Sequence, residues 1–198
     1  GENRVQEVRK KFESPLPDDA DVHLIGPLQT NKARAAVELF DIIHTVDRPR
    51  LVNTLARLAQ ERGTSPGLFV QVNTGDEAQK AGCAVEDADS LVESVRAAGL
   101  PLLGLMCIPP EGADPVPHFR TLRSMAGANG LSGLSMGMSS DFESAIAEGA
   151  THIRIGSAIF VSMLLGGVVA GRVTQALEHA GIQGDALGAG RVALVLLE

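Results

Sequence analysis

The feature that most constrains what this chain can fold into is an alternation of short β-type runs with longer segments that carry apolar residues at helical spacing. The strand-type runs fall at 22–28, 41–46, 68–73, 102–108, 131–136 and 152–159, and the helix-type segments at 31–40, 49–62, 86–98, 116–128 and 141–148. The punctuation agrees. Asp47 is placed to cap a helix with Pro49 in its first turn, Gly63 and Gly99 follow helix ends, and Ser139 or Ser140 is placed to cap the segment carrying Phe142, Ala145 and Ile146. Six βα-type units in a row, with buried-looking strands and no hairpin dipeptides, predict a parallel sheet covered by helices. A β/α barrel is preferred to an open doubly wound sheet. The 198 residues fall short of the roughly 250 of a complete eight-stranded barrel, so an incomplete (β/α)8 TIM barrel is expected.

Composition removes several functions. With 17 Lys plus Arg against 24 Asp plus Glu, the formal net charge is −7, which argues against nucleic acid as a partner because such binders need a cationic face. The longest nearly uncharged apolar run, 155–170, is interrupted by Gly156, Ser157, Ser162, Gly166 and Gly167 and is shorter than the ~20 residues of a membrane helix. The opening Gly1-Glu2-Asn3-Arg4 has no signal-type apolar stretch behind it, so a soluble cytoplasmic protein is expected. Cys83 and Cys107 lack the spacing of a zinc or redox pair and read as reduced thiols. No metal site is expected: Asp76 and Glu77 read as a solvated loop, and Glu178 and His179 as solvated positions on a helix-type segment at 172–180.

In a β/α barrel the chemistry lies at the C-terminal ends of the strands. Two such ends stand out. In Ser135-Met136-Gly137-Met138-Ser139-Ser140-Asp141 a strand end runs into a helix start, with hydroxyls and free amides of the kind that bind anions, although a plain serine cap has the same appearance. In His152-Ile153-Arg154-Ile155-Gly156-Ser157 an arginine sits inside an apolar strand, where its charge requires a carboxylate or a ligand as partner. These are the last two units of the series, where β/α barrels often hold a phosphate. His23 and His44 lie near strand ends, a position more common for structural histidines than for pocket residues, and His118 and His152 carry no distinguishing pattern.

Gly1-Glu2-Asn3-Arg4-Val5-Gln6-Glu7, His23-Leu24-Ile25-Gly26-Pro27-Leu28-Gln29-Thr30-Asn31-Lys32, His44-Thr45-Val46-Asp47, Gly104-Leu105-Met106, Ser135-Met136-Gly137-Met138-Ser139 and Arg154-Ile155-Gly156-Ser157-Ala158-Ile159-Phe160 follow one another in an order that resembles the pyridoxal phosphate homeostasis family, also called the YggS or PROSC family. That family is similar to the N-terminal barrel domain of alanine racemase. The resemblance spans 1–160 and leaves 161–198 as a tail foreign to it. It implies a fold-type III pyridoxal phosphate barrel that binds this vitamin B6 cofactor and buffers or delivers it inside the cell, without a defined catalytic reaction and with no catalytic residue assigned. By motif position, Ser139 and the backbone of Gly156 and Ser157 correspond to phosphate contacts, and Arg154 to the residue facing the pyridine nitrogen. Asn3 corresponds to the residue near the ring's O3′ side, with His23 and Met138 lining the pocket.

The sequence departs from the family at both ends. The family's cofactor lysine lies upstream of the Gly-Glu-Asn motif, and the lysines here are Lys10, Lys11, Lys32 and Lys80, with Lys32 and Lys80 in loop or helix positions. Covalent attachment of the usual kind therefore cannot be assigned to a lysine of this sequence. The tail offers strand-type runs near 162–170 and 191–197, expected to fill part of the space left by missing strands. The leading expectation is a monomeric cofactor-binding protein, with an open barrel edge as the route to any oligomer. The alternatives are a truncated or degenerate homologue without covalent cofactor binding and an amino-acid racemase-like enzyme, the latter disfavoured because the second domain and catalytic tyrosine of such enzymes have no counterpart in a chain with no tyrosine.

Overall fold

The computed structural model describes residues 1–6, 21–156, 175 and 193–196. In chain order the elements are β1 (His23–Leu24), a 3-10 turn (Thr30–Lys32), α1 (Ala33–Leu39), β2 (Ile42–Val46), α2 (Pro49–Arg62) and β3 (Gly67–Gln71). A second 3-10 turn (Val85–Asp87) leads into α3 (Ala88–Ala97), followed by β4 (Leu102–Met106), α4 (Val116–Ala128), β5 (Gly133–Met138), α5 (Phe142–Ala147), β6 (His152–Ile155) and β7 (Ala193–Leu196).

Local chemistry sets most boundaries. Pro49 opens α2, where its missing N–H costs nothing, and Gly63 closes it in a left-handed conformation at φ 76°. The N-cap of α2 is Arg48, not Asp47, whose carboxylate is held 2.5 Å from the Arg48 guanidinium instead. At α5 the cap position falls to Asp141, not to Ser139 or Ser140. Its carboxylate accepts the Met138 amide at 2.6 Å, so the chain turns back onto the strand end before the helix begins.

Every pairing is parallel and the strand order is β1 through β7 in sequence. A doubly wound sheet reverses direction at a switch point. This one does not, and right-handed crossovers that always step the same way put all their helices on one face. Ile43, Leu68, Val70, Leu105, Leu134, Ile153 and Ile155 join the core shared with helical residues such as Leu55, Val92, Leu122 and Phe142. The opposite face presents His23, His44, Phe69, Ser135, His152 and Arg154, and across it the rings of His23 and His152 are 6.1 Å apart. In a flat sheet five strand spacings of ~4.8 Å would separate β1 from β6 by about 24 Å. The sheet is therefore curled into most of a barrel, as the alternation predicted.

The N-terminal segment covers the β1 edge, and β7 forms the other edge. The Glu2 amide donates to the His23 carbonyl at 2.8 Å and the Glu2 carbonyl accepts from the Ile25 amide at 3.0 Å, so the N-terminal segment lies along the outer side of β1. That contact needs Gly26, since a Cβ there would stand 2.0 Å from the Asn3 carbonyl oxygen. On the far side β7 supplies the strand expected within 191–197 and sets Val195, which is buried, opposite Arg154. The run at 162–170, and the segment at 172–180 with Glu178 and His179, lie outside the described residues apart from Gln175.

Candidate ligand site at the ends of β5 and β6

Arg154 projects from β6 into the barrel and is 1% exposed. Its Nη1 donates to Ser135 Oγ at 2.8 Å and its Nη2 to the Cys107 carbonyl at 2.9 Å. Both acceptors are neutral. Burial lowers the arginine's pKa, opposed by the Cys107 and Asp141 groups nearby. A guanidinium held this way is fixed in direction and keeps most of its charge for whatever else enters the barrel.

Two residues further on, at the end of the same strand, the Gly156 amide points at Ser139 Oγ across 3.4 Å, a long contact that an anionic oxygen would improve on. The two anion-type strand ends read from the sequence thus converge. Gly137, at φ 94°, makes this possible: a Cβ there would stand 2.6 Å from Ala145 Cβ, so only glycine lets α5 pack directly on the end of β5. Met138 pairs in register with Arg154 and is half-buried beside the same ends.

Behind Arg154 lies a cluster that the sequence reading did not assemble. His44 Nδ1 is 2.8 Å from Ser135 Oγ, and His44 Nε2 is 2.9 Å from His23 Nδ1. The His44 ring stacks on Phe69 at 4.6 Å, and His152 packs against both rings, 5.7 Å from His44 and 4.9 Å from Phe69. Burial is the first cause of low basicity in all three histidines. His23 falls to about 4, with the N-terminal amine adding to the effect and Asp41 opposing it. His152 also falls to about 4, helped by His23 and Arg154, and His44 falls well below its ordinary value. The signal that could have found them is period two: His152 and Arg154 are two apart on one strand, and His44 and Ser135 are polar residues inside largely apolar strands.

The remaining expected residues are placed differently. Asn3 is exposed on the β1 side, with its backbone packed on Gly26, and Ser157 lies outside the described residues. Burial pushes the thiols of Cys83 and Cys107 up to about 12, which removes them as nucleophiles. Lys32 is half-buried in a 3-10 turn, and Lys80 pairs with Glu77 at 2.6 Å and donates to the Pro109 carbonyl at 3.2 Å. No group of histidine, cysteine, aspartate and glutamate among the described residues is arranged to hold a metal ion. Nor is any helix among them long and apolar enough to cross a membrane. A fixed cation, a hydroxyl–amide pair and a half-buried wall suit an anionic ligand that also carries a ring.

Comparison with known proteins bears on which ligand. Residues 1–163 match the family model described as alanine racemase, N-terminal domain. The pyridoxal phosphate homeostasis protein of Pseudomonas aeruginosa is 44% identical over 169 residues, covering 81% of this chain and 72% of that protein. The protein of the same name from Aquifex aeolicus is 39% identical over 170 residues, 81% of this chain and 75% of its relative. Among solved structures, PipY of Synechococcus elongatus with PLP bound aligns at a TM-score of 0.71 and 39% identity, covering 80% of this chain and 79% of that one. A D-threo-3-hydroxyaspartate dehydratase aligns over 96% of this chain and 50% of its own at a TM-score of 0.60, and at 16% identity it speaks to the fold alone. The chain belongs to the pyridoxal phosphate homeostasis family, within the wider family of alanine racemase N-terminal domains.

Proposed function

We propose that this chain binds pyridoxal 5′-phosphate at the C-terminal ends of β5 and β6 and serves to hold and release it in the cytoplasm, with no catalytic reaction of its own. The observation that carries this reading is the buried Arg154 with neutral partners, two residues before a Gly156 amide that meets Ser139 Oγ. Ser139 and the backbone of Gly156 and Ser157 would take the phosphate, and Arg154 the ring nitrogen. Met138 and His23 would line the pocket, and Asn3 would approach from the β1 side. When bound, the cofactor supplies an aldehyde that reacts reversibly with amines and a ring able to withdraw electrons. A permanent cation at the ring nitrogen disfavours its protonation and so weakens that withdrawal. This supports storage over turnover.

Neither Lys32 nor Lys80 lies on a strand of the sheet, and Lys80 is engaged by Glu77 and Pro109. The binding we propose at the described residues is noncovalent, and the protein binds as a monomer. The test is titration with pyridoxal 5′-phosphate followed by borohydride reduction and mass spectrometry. Saturable binding that dialysis reverses, with no mass gain on Lys32 or Lys80, is the expected result. Absence of saturable binding would favour the degenerate homologue, and turnover of an amino acid would favour an enzyme; either outcome overturns the proposal.

A further inference from the structure

Arg154 is held from behind by a chain of neutral groups whose hydrogen-bond direction can be worked out from the donors available. Ser135 is fully buried on β5 and accepts from Arg154 Nη1, so its own proton needs an acceptor. His44 Nδ1, at 2.8 Å, is the ring nitrogen placed to take it. A neutral His44 that accepts at Nδ1 carries its proton on Nε2, and that proton points at His23 Nδ1 across 2.9 Å. His23 then holds its own proton on Nε2. The opposite direction, with His44 donating from Nδ1, would give Ser135 two donors and leave its hydroxyl proton to find a partner elsewhere in a fully buried position.

We propose that Ser135 and His44 are positioning residues that fix Arg154 through a one-way chain, Arg154 to Ser135 to His44 to His23, and that its neutrality leaves the guanidinium charge free to act on a ring-bearing ligand. A carboxylate in the place of Ser135 would hold the arginine equally well and cancel its charge. The groups that face this chain are His152, whose ring lies against those of both His23 and His44, the Asp41 carboxylate and N-terminal amine near His23, and Asp141 near Arg154. Phe69 stacks on the His44 ring at a centroid distance of 4.6 Å.

The first test needs no ligand. Nitrogen-15 NMR of the imidazoles in the full chain should show both His44 and His23 as Nε2–H tautomers, and an Nδ1–H signal on His44 would overturn the assigned direction. The second test compares Ser135→Ala, Ser135→Thr and Ser135→Asp, and it rests on the cofactor reading above. Ser135→Ala should weaken pyridoxal 5′-phosphate binding about tenfold while inorganic phosphate still competes as it does in the parent. Ser135→Thr, which keeps the hydroxyl, should restore both affinity and tautomers, and Ser135→Asp should bind at least as weakly as Ser135→Ala. Equal losses for pyridoxal 5′-phosphate and inorganic phosphate in Ser135→Ala, or parental affinity in Ser135→Asp, would contradict the role. If the parent chain binds no pyridoxal 5′-phosphate, the cofactor reading fails, and the tautomers still decide the direction of the chain.

Discussion

Ser139 Oγ and the Gly156 amide nitrogen stand 3.4 Å apart, bringing together the ends of two adjacent strands that are 17 residues apart in sequence. A phosphate oxygen seated there would take a charge-assisted hydrogen bond from each. Ser139→Ala is expected to lower affinity for pyridoxal 5′-phosphate and for inorganic phosphate in parallel, by roughly 1.5 kcal/mol or about tenfold. Calorimetric titration of both ligands checks this, and a loss confined to one of them would argue against a phosphate contact.

Arg154 trades stability for binding. Its charge is buried against two neutral oxygens, so removing it relieves a desolvation cost at the same time as it discards two hydrogen bonds. Arg154→Met should therefore leave the ligand-free thermal midpoint unchanged or higher, while weakening pyridoxal 5′-phosphate binding by tenfold or more. Thermal unfolding with and without ligand measures both halves, and a large fall in the ligand-free midpoint would show that the arginine is structural.

The histidine cluster gives stability a defined dependence on pH. His23 and His152 titrate near 4 in the folded chain and near 6.5 when unfolded, so between these values the unfolded chain binds more protons. Stability is complete above about pH 6.5 and is lost as pH falls toward 4, at a rate of up to ~1.4 kcal/mol per pH unit for each histidine kept neutral. Urea unfolding across this range should show the slope. Replacing His152 by Gln should flatten it, and an unchanged slope in that variant would remove His152 from the explanation.

Gly26 holds the N-terminal segment against the barrel. A Cβ placed 2.0 Å from the Asn3 carbonyl cannot be absorbed by a side-chain rotation, because the obstacle is backbone. Gly26→Ala should destabilise the chain by about 1–3 kcal/mol and release the Glu2 pairing with β1. Hydrogen exchange at the Glu2 and Ile25 amides reports the release directly.

Much of the fold was legible in the sequence where a single residue decides a boundary. Helices α2 and α4 run over 49–62 and 116–128 as expected, because a proline stands at each start and Gly63 ends the first. Strand β1 is much shorter than its apolar run: it pairs with β2 only at His23 and Leu24, after which Gly26 is taken up by the Asn3 backbone and Pro27 has no amide to offer a ladder. The site was half legible. Ser139, Arg154 and Gly156 could be read because each breaks the pattern of its own strand end. The partnership of His44 with Ser135, which are 91 residues apart, could not, since it exists only once the sheet has curled far enough for β2 to face β5 across the barrel.

The most direct test of the account is a crystal structure of the chain soaked with pyridoxal 5′-phosphate. The expected result is a phosphate within hydrogen-bond distance of Ser139 Oγ and the Gly156 amide, with the Arg154 guanidinium facing the ring nitrogen and still donating to Ser135. Cofactor density at another place in the barrel, or a ring turned away from Arg154, would contradict it.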